Sequence, residues 1–156
     1  TVDVINSIEI CDNFGQRKAI TKDKLNLKYR SSNINKTDIV TKAIFNLNYG
    51  DQNLIKDRMN EIKKKRLDSQ PIKHKTSGST FKNPKNYHAA KLIEAAGCKG
   101  SYYGDAYVSD QHANFLINKG NASATDLENL GKNIIEKVYT KFNIELEWEV
   151  KIIGEK

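Results

Sequence analysis

The apolar positions of this chain fall into short runs of two different periods. Val4 to Ile10 is rich in β-branched residues. The Asp12-Asn13-Phe14-Gly15 stretch after it reads as a turn leading into a second short strand near Ala19-Ile20. Ile39 to Leu47 predicts a further strand. From Asn53 to Leu67 the period becomes helical, with Ile55, Met59 and Ile62 on one face. Gln70-Pro71 ends that helix, because the residue before a proline is pushed out of the helical region. His88 to Ala96 predicts a short helix with Ala89, Leu92, Ile93 and Ala96 inward and Gly97 as its stop. Ala113 to Asn118 reads as a strand. Thr125-Asp126-Leu127-Glu128 matches a capping box, opening a helix that buries Leu127, Leu130, Ile134 and Val138. At the end the period is two: Ile144, Leu146, Trp148, Val150 and Ile152 face one way, and Glu145, Glu147, Glu149 and Lys151 the other.

This irregular alternation predicts an α+β fold of small mixed or antiparallel sheets with packed helices. A lobe boundary is expected near residues 68–75, where the first long helix gives way to a lysine-rich linker. At 156 residues and 38% hydrophobic, the chain can bury a core. No apolar run approaches the length of a membrane span, no signal-peptide pattern opens the chain, and Thr1 in place of Met suggests a piece of something longer. Cys11 and Cys98 are far apart and have no C-x-x-C partner, so neither a disulfide framework nor a zinc site is expected, and a reducing cytoplasm fits.

The net charge of +7 points to an anionic partner: nucleic acid, a membrane surface or a phosphorylated small molecule. The lysines are spread along the chain without the interleaved aromatics of a nucleic-acid binder. The dense run Lys63 to Arg66 closes a predicted helix, where cations suit the dipole.

Candidate chemistry gathers at Ser77 to Pro84, "SGSTFKNP". Gly78 allows close approach, Ser79 offers a hydroxyl, and Asn83-Pro84 turns the chain. Neither a nucleophile elbow nor an NTPase phosphate loop is present, and an ordinary turn accounts for a Gly-Ser pair equally well. Arg30, in "YRSS", is one of four arginines and suits a carboxylate or enolate oxygen, or a surface salt bridge. Glu149 lies on the polar side of the last apolar alternation, where a solvated strand face is the plain alternative.

Taken in order, "YRSS", "GSTFKNP", "CKGSYYGDAYVSDQHANFLIN" and "IELEWEVKIIG" resemble the C-terminal half of the UDP-N-acetylenolpyruvoylglucosamine reductase family, over nearly the whole chain. The G-S-x-F-K-N-P segment and the L-E-x-E-V ending are its specific parts. The resemblance implies reduction of UDP-N-acetylglucosamine enolpyruvate to UDP-N-acetylmuramate for peptidoglycan, using a hydride from FAD that NADPH has reduced. It implies Ser79 as proton donor, Arg30 as the cation that stabilises the enolate-like intermediate, and Glu149 as the third catalytic residue. Asn83, Lys99 and His112 match substrate-contacting positions, His112 departing from the glutamine of one branch. Tyr49-Gly50-Asp51 runs almost directly into a helix, so the branch without a tyrosine-bearing loop fits. The resemblance divides the chain into residues 1–68, the closing part of a FAD-binding lobe; 69–145, the substrate-binding lobe; and 146–156, a terminal strand returning to the flavin side. No glycine-rich phosphate-cradling segment precedes "YRSS", so the chain reads as a fragment, inactive by itself. A non-catalytic UDP-sugar-binding module and a basic nucleic-acid-binding protein are the competing classes; the site residues favour neither nucleic acid nor membrane as partner.

Overall fold

The structure, a computed structural model, describes residues 2–154; Thr1, Glu155 and Lys156 lie outside the described residues, and with them the end of the expected terminal strand. It divides into two compact units, one reaching Ile55 and one beginning at Lys56.

The first unit is a three-stranded antiparallel sheet. β1 (Ile5–Cys11) lies between β2 (Arg17–Thr21) and β3 (Ile39–Phe45). The β1–β2 turn forms where the sequence expects it: Asp12 Oδ1 accepts from the Phe14 and Gln16 amides, both at 2.9 Å, and Gly15 takes φ +79°. Ile5, Ile8, Ile10 and Leu25 form its buried core. The β3 residues Ile39, Val40, Ile44 and Phe45 remain exposed.

α1 (Gln52–Ser69) opens on Asp51, whose Oδ1 accepts from the Asn53 and Leu54 amides. It stops one residue before Gln70-Pro71, as the sequence predicts. Its apolar face is uncovered, with Ile55, Met59 and Ile62 all exposed.

The second unit holds α2 (Ala89–Ala95), β4 (Tyr102–Tyr103), β5 (Ala106–Val108), β6 (Leu116–Asn118) and α3 (Ala124–Phe142). β4, β5 and β6 form an antiparallel sheet in that order. α3 packs on this sheet and on α2, burying Leu130, Ile134 and Val138 as predicted. The architecture is the expected α+β arrangement of small antiparallel sheets and packed helices.

Three local expectations are corrected. The capping box of α3 is Ser123 with Asp126, not Thr125 with Glu128: Ser123 Oγ accepts from the Asp126 amide at 3.1 Å, and Asp126 accepts from the Ser123 amide at 2.8 Å. Asn118 causes the shift by bonding Gly120 and Ala122, so the chain is already turned into the helix at Ser123. The strand expected from Ala113 begins only at Leu116, because residues 109–115 fold into a turn in which Ser109 N donates to Phe115 O and Phe115 N to His112 O. The alternating run from Ile144 to Ile152 is not a ladder strand. Its ladder pairing is confined to one bridge, Phe81 with Trp148, and Ile152 is exposed. Its partner segment ends at Pro84, too short to pair with the whole run.

Candidate functional site

The "SGSTFKNP" loop is the middle of three extended segments in the second unit. On one side Ser79 bridges Phe115, and Thr80 N donates to Asn114 O at 2.8 Å. On the other, Glu149 N donates to Thr80 O at 2.8 Å and Lys82 N to Glu147 O at 2.9 Å. Phe81 anchors the segment: it is 1% exposed and its ring lies 4.9 Å from that of Trp148. Gly78 has φ +89°, with open space where a Cβ would stand. Its backbone conformation therefore requires glycine, a reason separate from the close approach read from sequence.

Ser79 and Glu149 are thereby brought together on adjoining segments, one residue apart across the Glu149–Thr80 hydrogen bond. Both are half-buried, so Glu149 does not sit on a fully solvated strand face. Beside them Lys82 Nζ pairs with Glu147 Oε2 at 2.9 Å. The Thr80 hydroxyl is buried without a hydrogen-bond partner among the described residues.

The three expected substrate-contacting residues have these places in the second unit. Asn83 Oδ1 accepts from the Ala89 amide at 2.9 Å and so caps α2, whose flanking His88 makes no side-chain cap. Lys99 is paired with Glu94 at 2.8 Å. His112 stands edge-on to Phe115, and its Nδ1 accepts from the Asn114 amide at 3.3 Å, which leaves the ring proton on Nε2. Burial is the main force holding His112 below its ordinary pKa; the Lys99 charge acts in the same direction, and a hydrogen bond to its own backbone opposes both. His112 is thus a neutral donor at neutral pH.

Arg30 lies in the first unit. It sits at φ +52° in the tight Lys28–Ser31 turn, exposed, with its guanidinium 5.5 Å from the Tyr29 ring centre. An arginine in the left-handed region is uncommon, and this turn holds it there.

Two features of the site escape sequence reading. Asn114 is 4% exposed and bonds both main-chain groups of Phe81. Gly131 on α3 lies directly under Trp148. The only signal for the first was a polar residue inside the apolar run "HANFLIN". A cavity of about 540 Å³, lined by Ser77, Thr80, Leu127, Trp148 and Val150 among others, opens beside the loop, and no predicted site residue lines it. No group of three or more His, Cys, Asp or Glu that would hold a metal occurs among the described residues, and no helix there is long and apolar enough to cross a membrane.

Residues 70–153 match the family model described as "UDP-N-acetylenolpyruvoylglucosamine reductase, C-terminal domain". The UDP-N-acetylenolpyruvoylglucosamine reductase of Clostridium novyi is 46% identical over 153 residues, covering 97% of this chain and 50% of that one. That of Rickettsia bellii is 43% identical over 152 residues, with the same shares. The crystal structure of the UDP-N-acetylenolpyruvylglucosamine reductase of Thermus caldophilus superposes with a TM-score of 0.80 at 34% identity, covering 95% of this chain and 53% of that one. The chain spans about half the length of the curated relatives it matches. By its family match, its relatives and its fold, the chain belongs to the UDP-N-acetylenolpyruvoylglucosamine reductase family, with residues 70–153 matching that family's C-terminal domain.

Proposed function

We propose that this chain is the substrate-binding part of a reductase that converts UDP-N-acetylglucosamine enolpyruvate to UDP-N-acetylmuramate in peptidoglycan synthesis, in the cytoplasm. The observation that supports the reading is the Glu149–Thr80 main-chain hydrogen bond, which sets Glu149 beside the segment that carries Ser79. It gives a half-buried hydroxyl and a half-buried carboxyl adjoining positions in a family whose members are named for this reduction.

FAD and NADPH supply the two electrons in this reading. The described residues do not by themselves fit a whole dinucleotide. Both long helices open on a carboxylate, Asp51 for α1 and Asp126 for α3, so neither presents an open N-terminus to a pyrophosphate. We assign residues 1–68 to the closing part of a flavin lobe, in keeping with the exposed β3 side chains. We assign residues 69–145 to the substrate lobe.

Reduction of the enolpyruvyl group leaves electron density on the carbon beside the carboxylate, and a proton must reach that carbon. Ser79 Oγ donates it. A serine is a weak acid, so Glu149 orients the hydroxyl and restores its proton. Arg30 supplies the cation for the carboxylate side of the developing charge. His112 offers a neutral Nε2–H, and Asn83 and Lys99 take the remaining polar groups of the substrate.

The experiment is anaerobic rapid mixing of the full-length, flavin-reduced protein with UDP-N-acetylglucosamine enolpyruvate. A reductase reoxidises its flavin and yields one UDP-N-acetylmuramate per flavin. A non-catalytic UDP-sugar module binds saturably and leaves the flavin reduced, which would overturn the proposal.

A further inference from the structure

We infer that Asn114 is a positioning residue that sets Ser79 and Glu149 in register for proton delivery; the inference rests on the reductase reading above. Asn114 Nδ2 donates to Phe81 O at 2.8 Å, and Phe81 N donates to Asn114 Oδ1 at 2.9 Å. Its own carbonyl accepts from Thr80 N at 2.8 Å. One residue therefore takes three main-chain groups, Thr80 N, Phe81 N and Phe81 O, of the segment that carries Ser79.

The neighbouring backbone leaves this task to a side chain. Residues 109–115 fold back on themselves, with Ser109 N on Phe115 O and Phe115 N on His112 O, so these groups are not offered to residues 79–82 as ladder partners. The Asn114 amide replaces the missing ladder bonds. Burying a primary amide is costly unless it is paired, and an apolar residue would fill the position at lower cost if packing were its only purpose.

On its other edge the same segment holds Glu149 through Thr80 O. A slip of one residue against either neighbour would turn Ser79 to the opposite face. Asn114 opposes that slip and touches neither substrate nor reacting carbon in this scheme. It acts through Ser79. Its backbone N–H, which the variants below keep, also donates to His112 Nδ1.

The test uses the full-length, flavin-loaded protein and two variants, with the two half-reactions followed separately. Asn114→Ala removes the clamp. A misplacement of about 1 Å in a proton-transfer geometry costs about 10²-fold, so reoxidation of reduced flavin by the enolpyruvyl substrate slows by about that factor. Substrate Kd and flavin reduction by NADPH stay near wild type. Asn114→Asp makes the clamp titratable. Protonated, the introduced carboxyl accepts from Phe81 N and donates to Phe81 O as the amide does; ionised, it faces that carbonyl without a proton to share. Its reoxidation rate relative to wild type therefore rises as pH falls from about 8 to about 5.5, with the carboxyl held above its ordinary range by burial. The pH rescue decides the matter even if Asn114→Ala does not fold. Equal loss in both half-reactions, or an Asn114→Asp rate that parallels wild type at every pH, overturns the inference. A wild-type protein that fails to reoxidise its flavin with substrate fails at the reductase reading instead.

Discussion

Replacing Gly131 with alanine sets two effects of opposite sign against each other. Gly131 is a buried position inside α3, and a glycine-to-alanine change in a helix interior ordinarily stabilises by about 1 kcal/mol. Here a Cβ would stand 2.0 Å from Cη2 of Trp148 and 2.8 and 2.9 Å from Cζ3 and Cζ2. Carbon atoms in contact prefer about 3.5–4.0 Å, so the indole must retreat by about 1.5 Å. Overpacking of this kind costs about 1–3 kcal/mol. Trp148 cannot retreat alone, because it stacks on Phe81 and lies between the two backbone bonds that hold residues 147–149 to the Ser79 segment. Losing those two bonds adds about 1 kcal/mol each. Sterics therefore win, and Gly131→Ala lowers the unfolding free energy by about 3 kcal/mol. Urea unfolding measures this, and Trp148, the one tryptophan of the chain, reports its own displacement by fluorescence. A variant as stable as wild type with an unshifted emission spectrum would refute the packing argument.

Thr80→Val should stabilise the protein by about 1 kcal/mol, since it removes a buried hydroxyl that has no partner among the described residues; a loss of stability on urea unfolding would contradict this. His112 should titrate below 6.5 by NMR. Because burial depresses its folded pKa, the unfolded chain binds that proton first as pH falls: the stability contribution is complete above about pH 6.5 and is lost as pH drops through the folded pKa. His112→Gln should flatten the pH dependence of unfolding in that window, and an unchanged slope would count against the shift. The 156-residue chain alone should purify without stoichiometric flavin absorbance, given that its two long helices open on capping carboxylates; a bound flavin would contradict it.

What the sequence makes legible here is local. β1, β2, α2 and the inward face of α3 follow from period, turn chemistry and the Gly97 stop, which takes φ +73°. What it hides depends on partners distant in the chain. The Ile144–Ile152 alternation looks like a full strand, yet a strand needs a neighbour of matching length, and residues 79–82 supply only a short one. The capping box moves to Ser123 because Asn118 turns the chain early, and no pattern at Thr125 records that. Ile55, Met59 and Ile62 have the spacing of a buried face, but periodicity does not say whether anything covers it. At the site, Ser79 and Glu149 lie seventy residues apart in sequence, and their segments are joined by main-chain bonds of Thr80 and Lys82, which carry no residue signature. Asn114 belongs to the same class: its importance lies in Phe81 N and O, thirty-three residues away.

The central claim, that Ser79 delivers the proton, is tested most directly by Ser79→Ala in the full-length, flavin-loaded protein, with each half-reaction followed by rapid mixing. Flavin reduction by NADPH does not need this proton, and quenching of the substrate carbanion does. The variant should therefore accept electrons from NADPH at close to the wild-type rate and bind substrate normally, while substrate-dependent flavin reoxidation slows by about 10²-fold or more, the scale of a lost general acid. Equal slowing of both half-reactions, or of neither, would contradict the account and leave Ser79 a turn residue.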